Sequence, residues 1–170
     1  SEMCIRDRVG CKAIYNNLPK IIKEKNIDFV IANGENAAGG FGITSDIADE
    51  LFCSGIDVIT SGNHIWDQRE IIEHLDSEIP LLRPLNYPPD TPGRGYVHIK
   101  DVLVINLIGR LFVGTFDCPF RTVDKLLRNF SDRPKVIVVD FTEPEIQTSG
   151  DIIIDATSLE NVIEIELPYI

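Results

Sequence analysis

Two short apolar runs, residues 27–32 and 56–60, each lead into a polar loop that contains glycine. Between them lies a stretch with the spacing of an amphipathic helix, with Thr44 or Ser45 placed to cap its start and Gly55 to end it. Strand, helix and strand in this order predict a βαβ unit with parallel strands and a right-handed crossover. Because parallel strands end at the same edge of a sheet, the two loops should lie side by side.

The polar residues of these two loops are of the types found in metal-dependent hydrolases. Glu35 offers a carboxylate that can bind two cations at once, and Asn36 and Asn63 offer neutral amide oxygens. His64 could bind a metal or donate a proton to a leaving oxygen, because imidazole exchanges protons near neutral pH. Ordinary turns also favour asparagine and glycine, so a turn without a site is the competing interpretation. The position of both loops at one predicted sheet edge favours a site.

The rest of the chain predicts an α/β fold with further helices. One helix is predicted over residues 11–25, with a kink or restart at Pro19. Asp67 and Glu70 have the spacing of a capping box for another helix, and Thr122 is expected to cap a third. Further strands are predicted at 81–82, 96–99, 102–107, 136–139, 152–154 and 162–167.

Two of these strands, 96–99 and 102–107, are separated by a tight turn and predict a hairpin. The proline-rich loop, residues 83–95, is too long and too rich in fixed backbone angles for a simple connection, which favours a functional role. Its Arg83 is expected to be solvated.

Residues 1–8 lack helix or strand periodicity and are interpreted as a non-native leader. One domain is expected over residues 9–142, followed by a divergent tail with strand-like segments over 143–170.

Charge and cysteine usage exclude several classes of protein. A net charge of −11 opposes binding to nucleic acid backbones, although a small anionic substrate remains compatible if bound cations reverse the local field. The four cysteines form no Cys-x-x-Cys pair, which argues against a zinc ribbon and a disulfide framework. No apolar run has membrane-spanning length, so a cytoplasmic protein without a membrane or DNA partner is expected.

Several long motifs resemble those of a bacterial family of calcineurin-like metallophosphoesterases. They are residues 28–44 with Asn-Gly-Glu-Asn-Ala-Ala-Gly-Gly, 57–67 with Ser-Gly-Asn-His-Ile-Trp-Asp, 82–96 within and around the proline-rich loop, and 117–122, which reads Asp-Cys-Pro-Phe-Arg-Thr. That family includes phosphodiesterases that act on 2′,3′-cyclic AMP. The resemblance implies a layered α/β/α sandwich with two metal ions, iron or manganese.

The resemblance also implies roles for individual residues. Glu35 matches the bridging metal ligand, Asn36 and Asn63 match further ligands, and His64 matches the proton donor. The aspartate ligand that ends the first strand of the family has only Asp7 as a candidate here, in one of two possible registers. Thr142 stands where the family has a histidine ligand, and no histidine follows His98, so a Gly-Thr-His-Thr-His motif is missing.

These departures predict an incomplete di-metal site. The expected function is that of a metal-dependent phosphodiesterase for small cyclic nucleotides, with low activity in the chain as written. The alternative is a non-catalytic α/β module that associates with a partner or with a second copy. A missing first strand would leave an unpaired sheet edge, which is a ready surface for such association.

Overall fold

The structure is a computed structural model that describes residues 2–110, 114–131, 134–142, 152–154 and 162–166; only the backbone is described for residues 2–9, 152–154 and 162–166. The helices are α1 (Glu2–Lys25), α2 (Ser45–Cys53), α3 (Ile71–Leu75) and α4 (Pro119–Asn129). The strands are β1 (Phe29–Asn33), β2 (Val58–Thr60), β3 (Tyr96–Ile99), β4 (Val102–Ile108), β5 (Val136–Thr142), β6 (Ile152–Ile154) and β7 (Val162–Glu166). Among these residues, no helix combines the length and apolar character needed to cross a bilayer.

The strands form two sheets, with orders β2-β1-β7 and β3-β4-β5-β6. β1 and β2 are parallel, as the βαβ pattern predicts, and β3 and β4 form the predicted antiparallel hairpin. β7 pairs in parallel with β1 on the side away from β2. A strand of the tail thus covers the second side of β1, and the outer strands of this sheet, among the described residues, are β2 and β7.

Alternation of side chains along the strands produces three apolar layers. Phe29 and Ile31 of β1 face the other sheet and pack with Val104 and Val138. The other face of β1 packs against α1, α2 and α3, and the outer face of β4 packs against α4. The predicted α/β sandwich is thus confirmed, and its central layer consists of two sheets.

Several predicted element boundaries differ from the structure. α1 begins at Glu2 and continues through Pro19. The helix therefore starts nine residues earlier than predicted and includes residues 2–8, for which no helix or strand was predicted. α4 begins at Pro119 rather than after Thr122, since proline fits the first turn of a helix, where its missing N–H is not needed. Residues 81 and 82 form only isolated bridges rather than a strand. Thr44 does cap α2, where its hydroxyl accepts from the N–H of Ile47.

The capping-box prediction for α3 is also wrong. Glu70 makes no side-chain capping bond to α3, and its carboxylate accepts instead from the N–H of Ser45 at the start of α2. Asp67 contacts the imidazole of His64. Glu70 therefore serves a tertiary contact and Asp67 a local one with a side chain, although their spacing fits a capping box.

Arg83 is buried, contrary to the expectation that it is solvated. Its guanidinium donates to the carbonyl oxygens of Pro84 at 2.8 Å, Thr91 at 3.2 Å and Pro92 at 3.3 Å. Burial lowers the pKa of Arg83. The side chain thus holds both ends of the proline-rich loop around a single charged group.

Candidate active site

The carboxylate of Glu35 lies at the carboxyl end of β1, where the loop turns toward β2. The side chain is 6% exposed, and its Oε1 accepts from the backbone N–H of His64 at 3.4 Å. Burial raises the pKa of Glu35 and the nearby Asp140 acts in the same direction, whereas the N–H groups of His64 and Asn63 oppose the shift. A buried carboxylate in this environment favours a nearby cation.

The amide oxygens of Asn36 and Asn63 are buried without a hydrogen-bond partner. Such orphaned acceptors cost free energy in a folded protein and call for a ligand or another explanation. Asn36 adjoins Glu35 in the β1 loop, and Asn63 adjoins His64 in the β2 loop. Glu35 joins the two loops directly, so the structure brings all four predicted residues to one edge of the sheet.

Gly62 makes room for the Glu35 carboxylate. A Cβ atom added at Gly62 would overlap all three terminal atoms of that carboxylate group. Only glycine therefore allows the β2 loop to approach Glu35 this closely. Sequence reasoning noted Gly62 as a loop residue but could not identify what it contacts.

The imidazole of His64 is oriented by Asp67. The distance from Nδ1 of His64 to Oδ2 of Asp67 is 2.7 Å. His64 lies in the short 3₁₀ turn Asn63–Trp66, and Asp67 directly follows that turn. A carboxylate accepting from Nδ1–H fixes the ring and leaves Nε2 as the nitrogen able to exchange a proton with a ligand. His64 keeps 25% of its side chain exposed, so a ligand can reach it.

This pair leads to the first testable expectation. Asp67→Ala removes the acceptor at Nδ1, so the imidazole of His64 should change from one Nδ1–H tautomer to a mixture of tautomers. Long-range ¹H–¹⁵N spectra of the histidine side chains measure this directly, with His74 as the internal reference. An unchanged His64 tautomer in the variant would show that Asp67 does not orient the ring.

Two side-chain contacts join the sheets near the site. Nδ2 of Asn33 donates to Asp140 at 2.9 Å, and Asn106 exchanges two hydrogen bonds with the backbone of Ser61. Asn33 ends β1 and Ser61 follows β2, whereas Asp140 and Asn106 belong to β5 and β4. These contacts fix the carboxyl ends of the two sheets relative to each other, and no local sequence signal predicts them.

Two further positions, Thr142 and Asp7, correspond to metal ligands in the family resemblance, although Thr142 replaces a histidine. Thr142 ends β5 with its Oγ1 buried and without a partner. Asp7 lies within α1 rather than at the end of a strand, and only its backbone is described, so its role as a ligand stays a prediction. Among the described residues, no three His, Cys, Asp or Glu side chains form a cluster that could hold a metal ion.

An aromatic group borders the site on the side of the proline-rich loop. The rings of Trp66 and Tyr87 meet edge to face at 5.7 Å, and Tyr87 packs against Phe116 at 4.6 Å. Burial raises the pKa of Tyr87, and the charge of Glu35 adds to the shift. Tyr87 is thus a neighbour of the site that the sequence analysis did not single out.

Comparison with known proteins supports the family resemblance that the sequence motifs indicate. A family model described as YmdB-like protein matches residues 5–149. The chain is 42% identical over 136 residues to the 2′,3′-cyclic-nucleotide 2′-phosphodiesterase of Bacillus subtilis (strain 168), and the match covers 78% of this chain and 52% of that protein. The chain therefore spans about half the length of this curated relative.

Solved structures show the same fold. A hypothetical protein from Thermus thermophilus is 37% identical with a TM-score of 0.71, over 78% of this chain and 52% of the other. A phosphatase from Mycoplasma pneumoniae is 27% identical with a TM-score of 0.68, over 79% and 50%. These matches confirm the predicted resemblance, and the chain belongs to the YmdB-like protein family.

Proposed function

We propose that this chain carries one wall of a metal-dependent phosphodiesterase site for small cyclic nucleotides such as 2′,3′-cyclic AMP. The observation that carries the proposal is the pair of buried, unpartnered amide oxygens of Asn36 and Asn63 beside the buried carboxylate of Glu35. The activity named for the Bacillus subtilis relative and the phosphatase description of the Mycoplasma pneumoniae structure support this reaction class.

The donor atoms fit a hard cation. One carboxylate and two amide oxygens are ligands that manganese and magnesium accept, whereas imidazole nitrogen suits iron better. Glu35, Asn36 and Asn63 would hold the ion. A cation bound there would neutralise the charge of the phosphodiester and make water a better nucleophile.

The chain's own contribution to the reaction is binding and proton transfer. In its doubly protonated form, with Nδ1–H held by Asp67, His64 would donate its Nε2 proton to the leaving oxygen of the sugar. The bond from that oxygen to phosphorus breaks as a water oxygen bonds to phosphorus, and His64 returns to the neutral Nδ1–H form. Glu35 and the two asparagines would hold the cation that positions the phosphate. Because the described residues supply fewer ligands than two metal ions need, we expect slow turnover.

The proposal is tested by metal binding and by hydrolysis. Calorimetric titration with manganese should show one weakly held ion, and Glu35→Gln should abolish this binding. Hydrolysis of 2′,3′-cyclic AMP should be slow, manganese-dependent and reduced about 10²- to 10⁴-fold by His64→Ala, the range for a general acid. His74→Ala, a partly exposed histidine of α3, is the matched control and should change neither quantity.

Three outcomes would contradict parts of this proposal. The absence of manganese binding would favour the non-catalytic module. Robust turnover with two bound ions would show that the site is complete. Hydrolysis that His64→Ala leaves unchanged would remove the proton-donor role.

A further inference from the structure

Phe41 belongs to the loop that carries Glu35 and Asn36, and half of its side chain is exposed. Three glycines around it have left-handed backbone angles: Gly39 with φ of 73°, Gly40 with 86° and Gly42 with 75°. Glycine adopts such angles without the strain that other residues incur. The loop therefore has a specific shape, in which one large apolar side chain projects from between glycines that set the backbone geometry.

The backbone at Phe41 is held in place from two directions. Nε2 of Gln68 donates to the carbonyl oxygen of Phe41 at 3.0 Å, and the N–H of Ala38 donates to Gly42 at 2.8 Å. A Cβ atom on Gly42 would lie 2.6 Å from the carbonyl oxygen of His64. The loop is thus packed directly on the turn that carries the proton donor.

The ring of Phe41 lies beside the imidazole of His64. The two ring centroids are 5.2 Å apart with an interplanar angle of 76°, while Phe41 remains 50% exposed. Because the two rings are this close, a phosphodiester that approaches His64 for proton transfer would also come close to the ring of Phe41. An exposed phenylalanine is common on protein surfaces, but one fixed in edge contact with a catalytic imidazole is placed to contact ligand.

We propose that Phe41 is a specificity-determining residue that stacks on the base of a nucleotide bound at His64, an inference that rests on the proposed function. Stacking of a base on an aromatic side chain does not require positive charge on the protein, and the ring can stack on any of the bases. This matters in a chain with a net charge of −11, which offers no general attraction for phosphate. The proposed substrate class is therefore a phosphodiester that carries a nucleobase.

The test measures binding, so it does not depend on turnover. Dissociation constants are measured with manganese in excess for 3′-AMP and for the phosphate ester of a methyl riboside, which lacks the base. Wild-type protein should bind the nucleotide about 5- to 150-fold more tightly, the range for one base stacked on an aromatic side chain. Phe41→Ala should remove this difference and leave the base-free ligand unchanged, and Phe41→Trp should restore it.

Phe120→Ala is the matched control, because Phe120 is more exposed than Phe41 and lies at the start of α4. It should leave both dissociation constants unchanged. Equal binding of the two ligands by wild-type protein, or an unchanged preference in Phe41→Ala, would overturn the role of Phe41 alone. If neither ligand binds the wild-type protein, the proposed function fails and this inference fails with it.

Discussion

Gly62→Ala is expected to weaken manganese binding about 10- to 100-fold, the range for loss of support to a metal ligand. The new methyl group would occupy the position of the Glu35 carboxylate, which must then leave its place against the backbone of the β2 loop. Overpacking at a buried position also costs stability, about 1–3 kcal/mol. Titration calorimetry measures the first effect and urea denaturation the second.

Gly10→Ala is the matched control for this prediction. A Cβ atom at Gly10 meets nothing within 4 Å, and the residue lies inside α1. Alanine there should increase stability by about 0.5–1 kcal/mol, because it favours the helix. Adding Glu35→Asp to Gly62→Ala shortens the displaced carboxylate and should recover part of the lost affinity. Full manganese affinity in Gly62→Ala would mean that this contact does not position Glu35.

Arg83→Met should lower the free energy of unfolding by about 3 kcal/mol or more, since hydrogen bonds to a charged group contribute about 1.5–3 kcal/mol each. The guanidinium donates to carbonyl oxygens from both ends of the proline-rich loop, and methionine leaves these buried acceptors unpaired. Urea denaturation monitored by the fluorescence of Trp66, which packs against Tyr87 of this loop, reports the change.

The exposed Arg121 is the matched control for Arg83, and Arg121→Met should remain within about 0.5 kcal/mol of the wild type. If Arg83→Met does not fold, Arg83→Lys provides the measurement. Lysine keeps the charge but reaches fewer carbonyl groups in a fixed geometry, so an intermediate loss is expected. A loss below about 0.5 kcal/mol in both Arg83 variants would show that the loop is held by other contacts.

The parts of the fold with local signals could be predicted from the sequence. The βαβ unit and the β3–β4 hairpin follow from short apolar runs and their turns, and the structure confirms both. The same reasoning placed Glu35 and His64 at one sheet edge, because two parallel strands must end there. In the structure, the backbone N–H of His64 donates to the side-chain carboxylate of Glu35.

The sequence did not predict which of several suitable hydrogen-bond partners a polar side chain would contact. Asp67 has the spacing of a cap, but its carboxylate contacts the imidazole of His64, three residues earlier, and the local pattern does not favour one of these partners over the other. Asn33 and Asp140 are 107 residues apart, and no pattern in the chain marks them as partners. Arg83 lies in a loop and was expected to be solvated. Its burial could not be predicted, because its hydrogen-bond acceptors are backbone carbonyl groups, which every residue carries.

The pairing of β7 with β1 has a consequence for the order in which the molecule assembles. Phe29 is in register with Val162, so β1, the first of the described strands in the sequence, pairs with β7, the last of them. Contacts between residues so distant in sequence form slowly, because closing a long loop costs entropy before any contact is made. During synthesis, among the described strands, β1 has only β2 as a hydrogen-bonded partner until residues 162–166 have left the ribosome. The second edge of β1 therefore stays open to other strands until that segment has emerged.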